Sequence, residues 1–228
     1  MNILCTICMR GGSKGIKNKN ILKINSKYLF EYTYDIAIKC KKITNIVFST
    51  DSDRIIKILS KDKKKTIFKR SKSLATGNIG KIFVIRDALV KAEVYFNKKF
   101  HYIIDLDVTS PLRSLNDINT CINKIIKSKY NNIFSVNLSK KNPYFNMIEK
   151  KNNKYDLINN KYNIYSRQKA PKVYDMNASI YIWKRNYLLK NDNLFSENST
   201  IYKMPYKRSV DIDNYDDLRY VKYLLEND

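Results

Sequence analysis

Histidine is nearly missing from these 228 residues: His101 is the only one. A serine–histidine or cysteine–histidine relay needs an imidazole beside its nucleophile, and no motif described below has one, which argues against triad hydrolysis. Cysteine is scarce too. Of four cysteines, Cys5 and Cys8 form a Cys-x-x-Cys, with Cys40 and Cys121 elsewhere. Residues three apart on a strand point to opposite faces, so these two thiols diverge. With no second pair and one histidine, the usual four-ligand zinc site cannot be filled. The cysteines therefore read as reduced core residues, and His101 as structural. Long apolar runs are absent. No stretch reaches the length of a membrane span, and the apolar run at Ile3 lacks the charged-then-apolar pattern of a secretion signal. The expected location is the cytoplasm.

Negative charge is also in short supply. Against 44 Lys and Arg stand 21 Asp and Glu, a formal charge of +23. An excess of that size raises the reading of a basic nucleic-acid-binding protein without turnover. The lysines, however, are spread over nearly every segment, interleaved with asparagine and isoleucine, with no basic helix or tail. That pattern reads as a solvated surface that also favours small anionic substrates, and no nucleic-acid partner is expected. Hydrophobic residues make up 43%, enough for one large α/β domain over residues 1–228 with a full core.

What is present is concentrated at strand ends. An apolar strand from Ile3 runs into Arg10-Gly11-Gly12-Ser13-Lys14-Gly15, with Lys17, Lys19 and Asn20 close behind. Glycines let a backbone approach an anion, N–H groups point at it, and cations neutralise it. The spacing fits neither the P-loop nor the dinucleotide Gly-x-Gly-x-x-Gly. The bland alternative is a flexible basic turn.

Downstream, strands and helices alternate. Helical spacing covers 28–40, 53–59, 79–96, 116–128 and 214–225, with a short helix at 187–189. Strands are expected over 43–49, 66–68, 102–107, 133–138, 178–183 and 201–204. Residues 143–172 change character, with β-prone pieces, Asn-rich turns and no helical period, and are expected to form hairpins extending from the main sheet. Alternation of this kind implies a mostly parallel sheet with helices on both faces, whose ligands sit beyond the carboxyl ends of the strands. The Arg10 loop, Asp51, Thr109-Ser110-Pro111-Leu112-Arg113 and Asp211-Ile212-Asp213 all fall there.

Each has a candidate chemistry and a plain structural alternative. Asp211 and Asp213, two apart on extended chain, share a side where a divalent cation can bridge them to phosphate, with Ile212 facing the core. Equally, Asp213 or Asn214 caps the last helix. Thr109 to Arg113 supplies hydroxyls, a stiff turn and a guanidinium over a base and ribose, or is an ordinary loop. Arg167 suits a carboxylate-bearing substrate in bidentate fashion, or is a surface arginine.

Together these segments resemble the acylneuraminate cytidylyltransferase family. The matching runs are Arg10 to Gly15 with Lys19-Asn20, Ser49-Thr50-Asp51-Ser52, Thr109 to Arg113, Arg167-Gln168, Asn177-Ala178-Ser179-Ile180-Tyr181 and Asp211-Ile212-Asp213. They keep the family's order and span nearly the whole chain. The resemblance implies a Rossmann-like nucleotidyltransferase domain, a homodimer through a small β-rich extension near 140–175, and transfer of CMP from CTP to an acidic nine-carbon sugar with Mg2+. It implies Arg10 and Lys14 as catalytic cations on the pyrophosphate side, and Asp211 and Asp213 as catalytic metal ligands. It implies Ser13, Lys19, Asn20, Arg70, Asp107, Thr109, Ser110, Arg113, Arg167, Asn177 and Tyr181 at the substrates. The chain departs from the sialic acid pattern at Asp107-Val108, where Gln-Pro is common, at Asp175, at Tyr144-Phe145 and at Lys81, where a small hydroxyl residue is expected. The Ile104-Asp105-Leu106-Asp107 strand end and the segment Ala170 to Asn177 look most like the legionaminic acid branch. Sialic, pseudaminic and 3-deoxy-manno-octulosonic acid are the rival acceptors, and a nucleotide sensor without turnover is a further alternative.

Overall fold

The apolar run at the start becomes β1 (Ile3–Met9), the third strand from one edge of a seven-stranded sheet, in a computed structural model that describes residues 1–12, 15–161 and 164–227. The chain then forms a small hairpin, β2 (Lys23–Ile24) and β3 (Lys27–Tyr28), and α1 (Leu29–Lys39). Next come β4 (Asn45–Thr50), α2 (Asp53–Leu59), β5 (Thr66–Lys69), α3 (Lys81–Tyr95), β6 (Tyr102–Leu106), α4 (Leu115–Ile126) and β7 (Asn132–Leu138). A second hairpin, β8 (Ile148–Lys151) and β9 (Lys154–Leu157), precedes β10 (Tyr174–Lys184), α5 (Arg185–Lys190), β11 (Ser199–Lys203) and α6 (Tyr215–Asn227).

The sheet order is β11-β7-β10-β6-β1-β4-β5. Only β10 runs against its neighbours β6 and β7; the remaining pairs are parallel. Period-two alternation along β1 sends Ile3, Cys5 and Ile7 into one core and Leu4 into the other. The first core packs under α1, α2, α4 and α6 through Leu29, Phe30, Ile55, Ile118, Ile122, Ile125 and Val221. The second packs under α3 and α5 through Ile85, Ala88, Leu89 and Leu188. Helices thus cover both faces of a mostly parallel sheet, as the alternation implied. Each fully buried isoleucine or leucine contributes about 1.5–3 kcal/mol. Cys5 belongs to the first core while Cys8 packs against the second, so the Cys-x-x-Cys pair diverges across the sheet.

Local chemistry sets the element ends. Ser114 and Asp117 form a capping box at the start of α4, and Ser52 caps α2 through the Ile55 N–H. Both hairpins turn on two residues at positive φ, Asn25-Ser26 and Asn152-Asn153, the geometry that matches strand twist. Among the described residues of 143–172, one hairpin forms where several were expected, and it pairs with itself rather than with the main sheet. Strand β10 starts four residues earlier than its apolar pattern indicated. A register shift between Met176 and Tyr181, with Ala178 at φ 53, breaks the alternation there.

Candidate active site

Beyond the carboxyl ends of β1, β5 and β6 lies a cavity of about 380 Å³. Arg10, Lys19, Asn20, Arg70, Asp107, Thr109 and Asp213 line it, among the residues expected at the site, joined by Gly15, Lys81 and apolar side chains of the 74–84 segment. Ser13 and Lys14 lie outside the described residues.

The two ends of the chain meet at this cavity. Lys19 Nζ donates to the Ile212 carbonyl and lies 2.9 Å from Asp213 Oδ1. Gly15 packs so closely that a Cβ there would overlap the Asp213 carbonyl oxygen. Asn20 Nδ2 donates to the Arg10 carbonyl at 2.9 Å and shapes the loop after β1. The Gly11 N–H donates to Asp51 Oδ1 at 2.9 Å. Two of the loop's glycine-region features therefore serve contacts within the protein. Arg70 is buried, its guanidinium donating to the Ser49 carbonyl at 3.0 Å.

The lining also carries an acidic group beside a lysine. Lys81 Nζ donates to Asp107 Oδ2 at 2.6 Å. It also lies 2.7 Å from Asp105 Oδ2, an ion pair by distance though not by hydrogen-bond direction. Asp105 is fully buried, and its Oδ1 accepts from the Thr6 hydroxyl at 2.7 Å. Asp107 Oδ1 accepts from both the N–H and the hydroxyl of Thr109, at 3.1 and 2.9 Å. Burial works against an ionised Asp107, but the Lys81 charge and these hydrogen bonds outweigh it and hold the carboxyl at about 2. Lys81 is likewise held well above the ordinary lysine value, the two carboxylates overcoming the penalty of burial. Asp211 goes the other way: burial first, then the Asp107 charge, raise its carboxyl to about 6, and its buried Oδ1 has no hydrogen-bond partner among the described residues. Ile212 is fully buried between the two acids, and its N–H donates to the Thr109 carbonyl at 2.9 Å. An acceptor oxygen that no protein donor reaches fits a hard divalent cation. No cluster of three or more ligating side chains stands among the described residues; Asp213 lines the cavity while Asp211 does not, and two carboxylates would leave the remaining positions of a Mg2+ ion to other oxygen donors.

Other expected substrate contacts are spent within the protein and do not line the cavity. Arg113 is buried and donates to Ser179 Oγ at 3.0 Å, Thr33 Oγ1 at 2.8 Å and the Asp107 carbonyl. The Ser110 hydroxyl donates to the Asn177 carbonyl at 3.2 Å. Asn177 is buried, accepting from Ser135 Oγ at 2.6 Å and donating to Ser209 Oγ at 3.0 Å. Tyr181 is buried, paired across the β10–β6 ladder with Asp105, its ring stacked on Trp183 at 5.6 Å. Arg167 sits exposed on a short 3-10 turn, Arg167–Lys169, and is not among the residues that line the cavity. What the sequence pattern did not join is Lys81 to Asp105 and Asp107. Two departures from the family pattern, 26 residues apart, prove to be one ion-paired unit.

The family model described as cytidylyltransferase matches residues 4–227. The chain is 44% identical over 98% of its length to the CMP-N,N'-diacetyllegionaminic acid synthase of Campylobacter jejuni, covering 94% of that protein. It is 43% identical over 98% of its length to the post-translational flagellin modification protein B of Campylobacter coli, covering 95% of it. Among solved structures, a CMP:2-keto-3-deoxy-manno-octonic acid synthetase complexed with CTP superposes with a TM-score of 0.72 at 14% identity, over 100% of this chain and 99% of that one; this likeness concerns the fold.

Proposed function

This chain belongs to the cytidylyltransferase family, and we propose that it transfers CMP from CTP to the anomeric hydroxyl of a nonulosonic acid, legionaminic acid or its diacetyl form, for glycan biosynthesis. The observation that carries the proposal is the meeting of Gly15 and Lys19 with Asp213 over one cavity lined by Arg10 and Arg70. The lining carries both cations and carboxylates, which suits a triphosphate beside a sugar. The identity to the legionaminic acid enzyme supports the acceptor.

In this scheme the sugar hydroxyl attacks the α-phosphorus, the bond to the β-phosphate oxygen breaks, and pyrophosphate leaves. Arg10, Lys14, Lys19 and Arg70 offset its charge, so that catalysis is largely positioning and electrostatic. Ser13 and Asn20 hold the nucleotide, and Arg167 pairs with the sugar carboxylate. Asp211 and Asp213 would hold Mg2+, which when bound supplies polarisation of the phosphate. Asp211, with a carboxyl near 6, matches a proton acceptor working near neutral pH. We treat residues 1–228 as one domain, with 140–175 as a dimerisation extension. Exposed Ile148, Tyr155, Ile158 and Tyr165 there support a partner face, as four free thiols support a reducing, cytoplasmic setting.

The test is pyrophosphate release from CTP with a panel of legionaminic, sialic, pseudaminic and 3-deoxy-manno-octulosonic acids. The highest kcat/KM is expected with diacetyllegionaminic acid. A flat response across the panel would remove the acceptor assignment, and CTP binding without release would leave a nucleotide sensor.

A further inference from the structure

We propose that Lys81 is a positioning residue for acceptor selection: by bridging Asp105 and Asp107 it fixes one carboxylate lone pair at the cavity wall, which selects a sugar acid presenting an N–H or O–H donor there. This rests on the assignment of the cavity to CTP and a sugar acid.

The donor and acceptor count is specific. A carboxylate offers about four lone-pair sites. On Asp107, Oδ1 accepts twice from Thr109 and Oδ2 accepts once from Lys81. One site on Oδ2 remains. Lys81 can offer three donors. One goes to Asp107, a second lies within ion-pair distance of Asp105, and its ammonium sits 5.0 Å from the Tyr181 ring centroid, a cation–π distance. Little donor capacity is left for a ligand. The surface shown at this wall is therefore an acceptor, although a lysine lies on it. An anionic acceptor repels phosphate, and the lining supplies Arg10, Lys19 and Arg70 as cations that attract it. The second substrate, not the triphosphate, meets Asp107.

Asp107 could not hold this geometry alone. Asp105, two residues back on β6 and fully buried, would sit beside it as an unbalanced second negative charge. Lys81, the first residue of α3, reaches both carboxylates and neutralises one of the two. The unit carries a net charge of minus one, rigidly placed.

The experiment compares nonulosonic acids in which acetamido is exchanged for O-acetyl one carbon at a time, so that an amide N–H donor becomes an ester oxygen. Wild-type enzyme is expected to lose roughly 10–100-fold in kcat/KM at one position of exchange, with the KM for CTP constant. In Lys81→Met that ratio should fall towards one, with a raised KM for the acid and the KM for CTP within about twofold. Lys81→Arg, which keeps a cation, should recover part of the ratio. Asp107→Asn serves as the second variant if Lys81→Met fails to fold. Thr109 donates to one side-chain atom of residue 107, which orients the Asn carbonyl there and turns the amide NH2 to the cavity, so the ratio should collapse as well. An unchanged ratio in either folded variant overturns the proposal, as does a rise in the KM for CTP alone. No discrimination at any position by an active wild-type enzyme also overturns it. An absence of pyrophosphate release with every nonulosonic acid would instead remove the underlying assignment.

Discussion

The acidic wall of the cavity and its basic rim treat charge in opposite ways. Lys81 and Asp107 on the wall, and Asp105 and Arg113 outside the lining, are tied to one another or to backbone and hydroxyl groups at 2.6–3.1 Å. Among the lining cations, Lys19 and Arg70 are also bonded within the protein, whereas the side chains of Arg10 and, outside the lining, Arg167 have no hydrogen bond or ion pair among the described residues. A charge removed from water must find its partner inside the chain, whereas a solvated one can wait for a ligand. Buried charges at this site therefore belong to the folding problem first, and rim charges to binding first. Asp211 breaks the division. It is largely buried like a wall residue, yet one of its oxygens is unpartnered like a rim residue, which is what a group held ready for a ligand looks like.

The largest effect should come from breaking the buried network. Arg113→Met removes a buried guanidinium that joins β10, α1 and the end of β6. Roughly 3–5 kcal/mol of stability should be lost, read as a lowered denaturant midpoint at constant m. A loss below about 1 kcal/mol would mean that water reaches this pocket and that wall and rim are not distinct.

Asp211→Asn sharpens the exception. A carboxyl raised from 3.8 to about 6 is easier to protonate in the folded than in the unfolded protein. The wild type therefore holds its full contribution below about pH 4 and loses it as pH rises through about 6. The asparagine variant does not titrate. In chelator and without CTP, it should match wild type near pH 4 and exceed it by roughly 2–3 kcal/mol at pH 8, while turnover falls at least about 100-fold. Thermal melts across pH check the first and pyrophosphate release the second. A stability difference that does not vary with pH would show that Asp211 is an ordinary ionised carboxylate.

The smallest structural effect is expected at the exposed arginine. Arg167→Ala should leave stability within about 0.5 kcal/mol of wild type while raising the KM for the sugar acid about tenfold, with the KM for CTP unchanged. An unaltered KM for the acid would take Arg167 out of the site.

Much of this was legible before any coordinates. Period-two and 3.6-residue patterns located the central strands and the helices that cover them, because both elements bury one face and carry that periodicity in the residue types. Asp53–Leu59 matches its expected span, since a Ser cap and an apolar stripe are local signals. The early part of β10 was not legible, because a bulge with Ala178 in left-handed conformation interrupts the alternation. The turn at Asn25-Ser26 was missed for a related reason: two-residue strands are too short for any period to appear.

By itself the sequence determined the alternation of elements, the clustering of charged motifs at strand ends, and the pairing of two acids about a core isoleucine, all of which depend on neighbours along the chain. Only the tertiary structure decided which charges face the cavity and which are consumed inside. Arg113, Ser110 and Asn177 look like binding residues in the sequence but are bonded within the protein. Lys81 looks like a stray substitution but completes a carboxylate pair. The physical reason is that a charge's role depends on its distance to other charges and to water, and residues 81 and 107 come together only when α3 packs on the sheet.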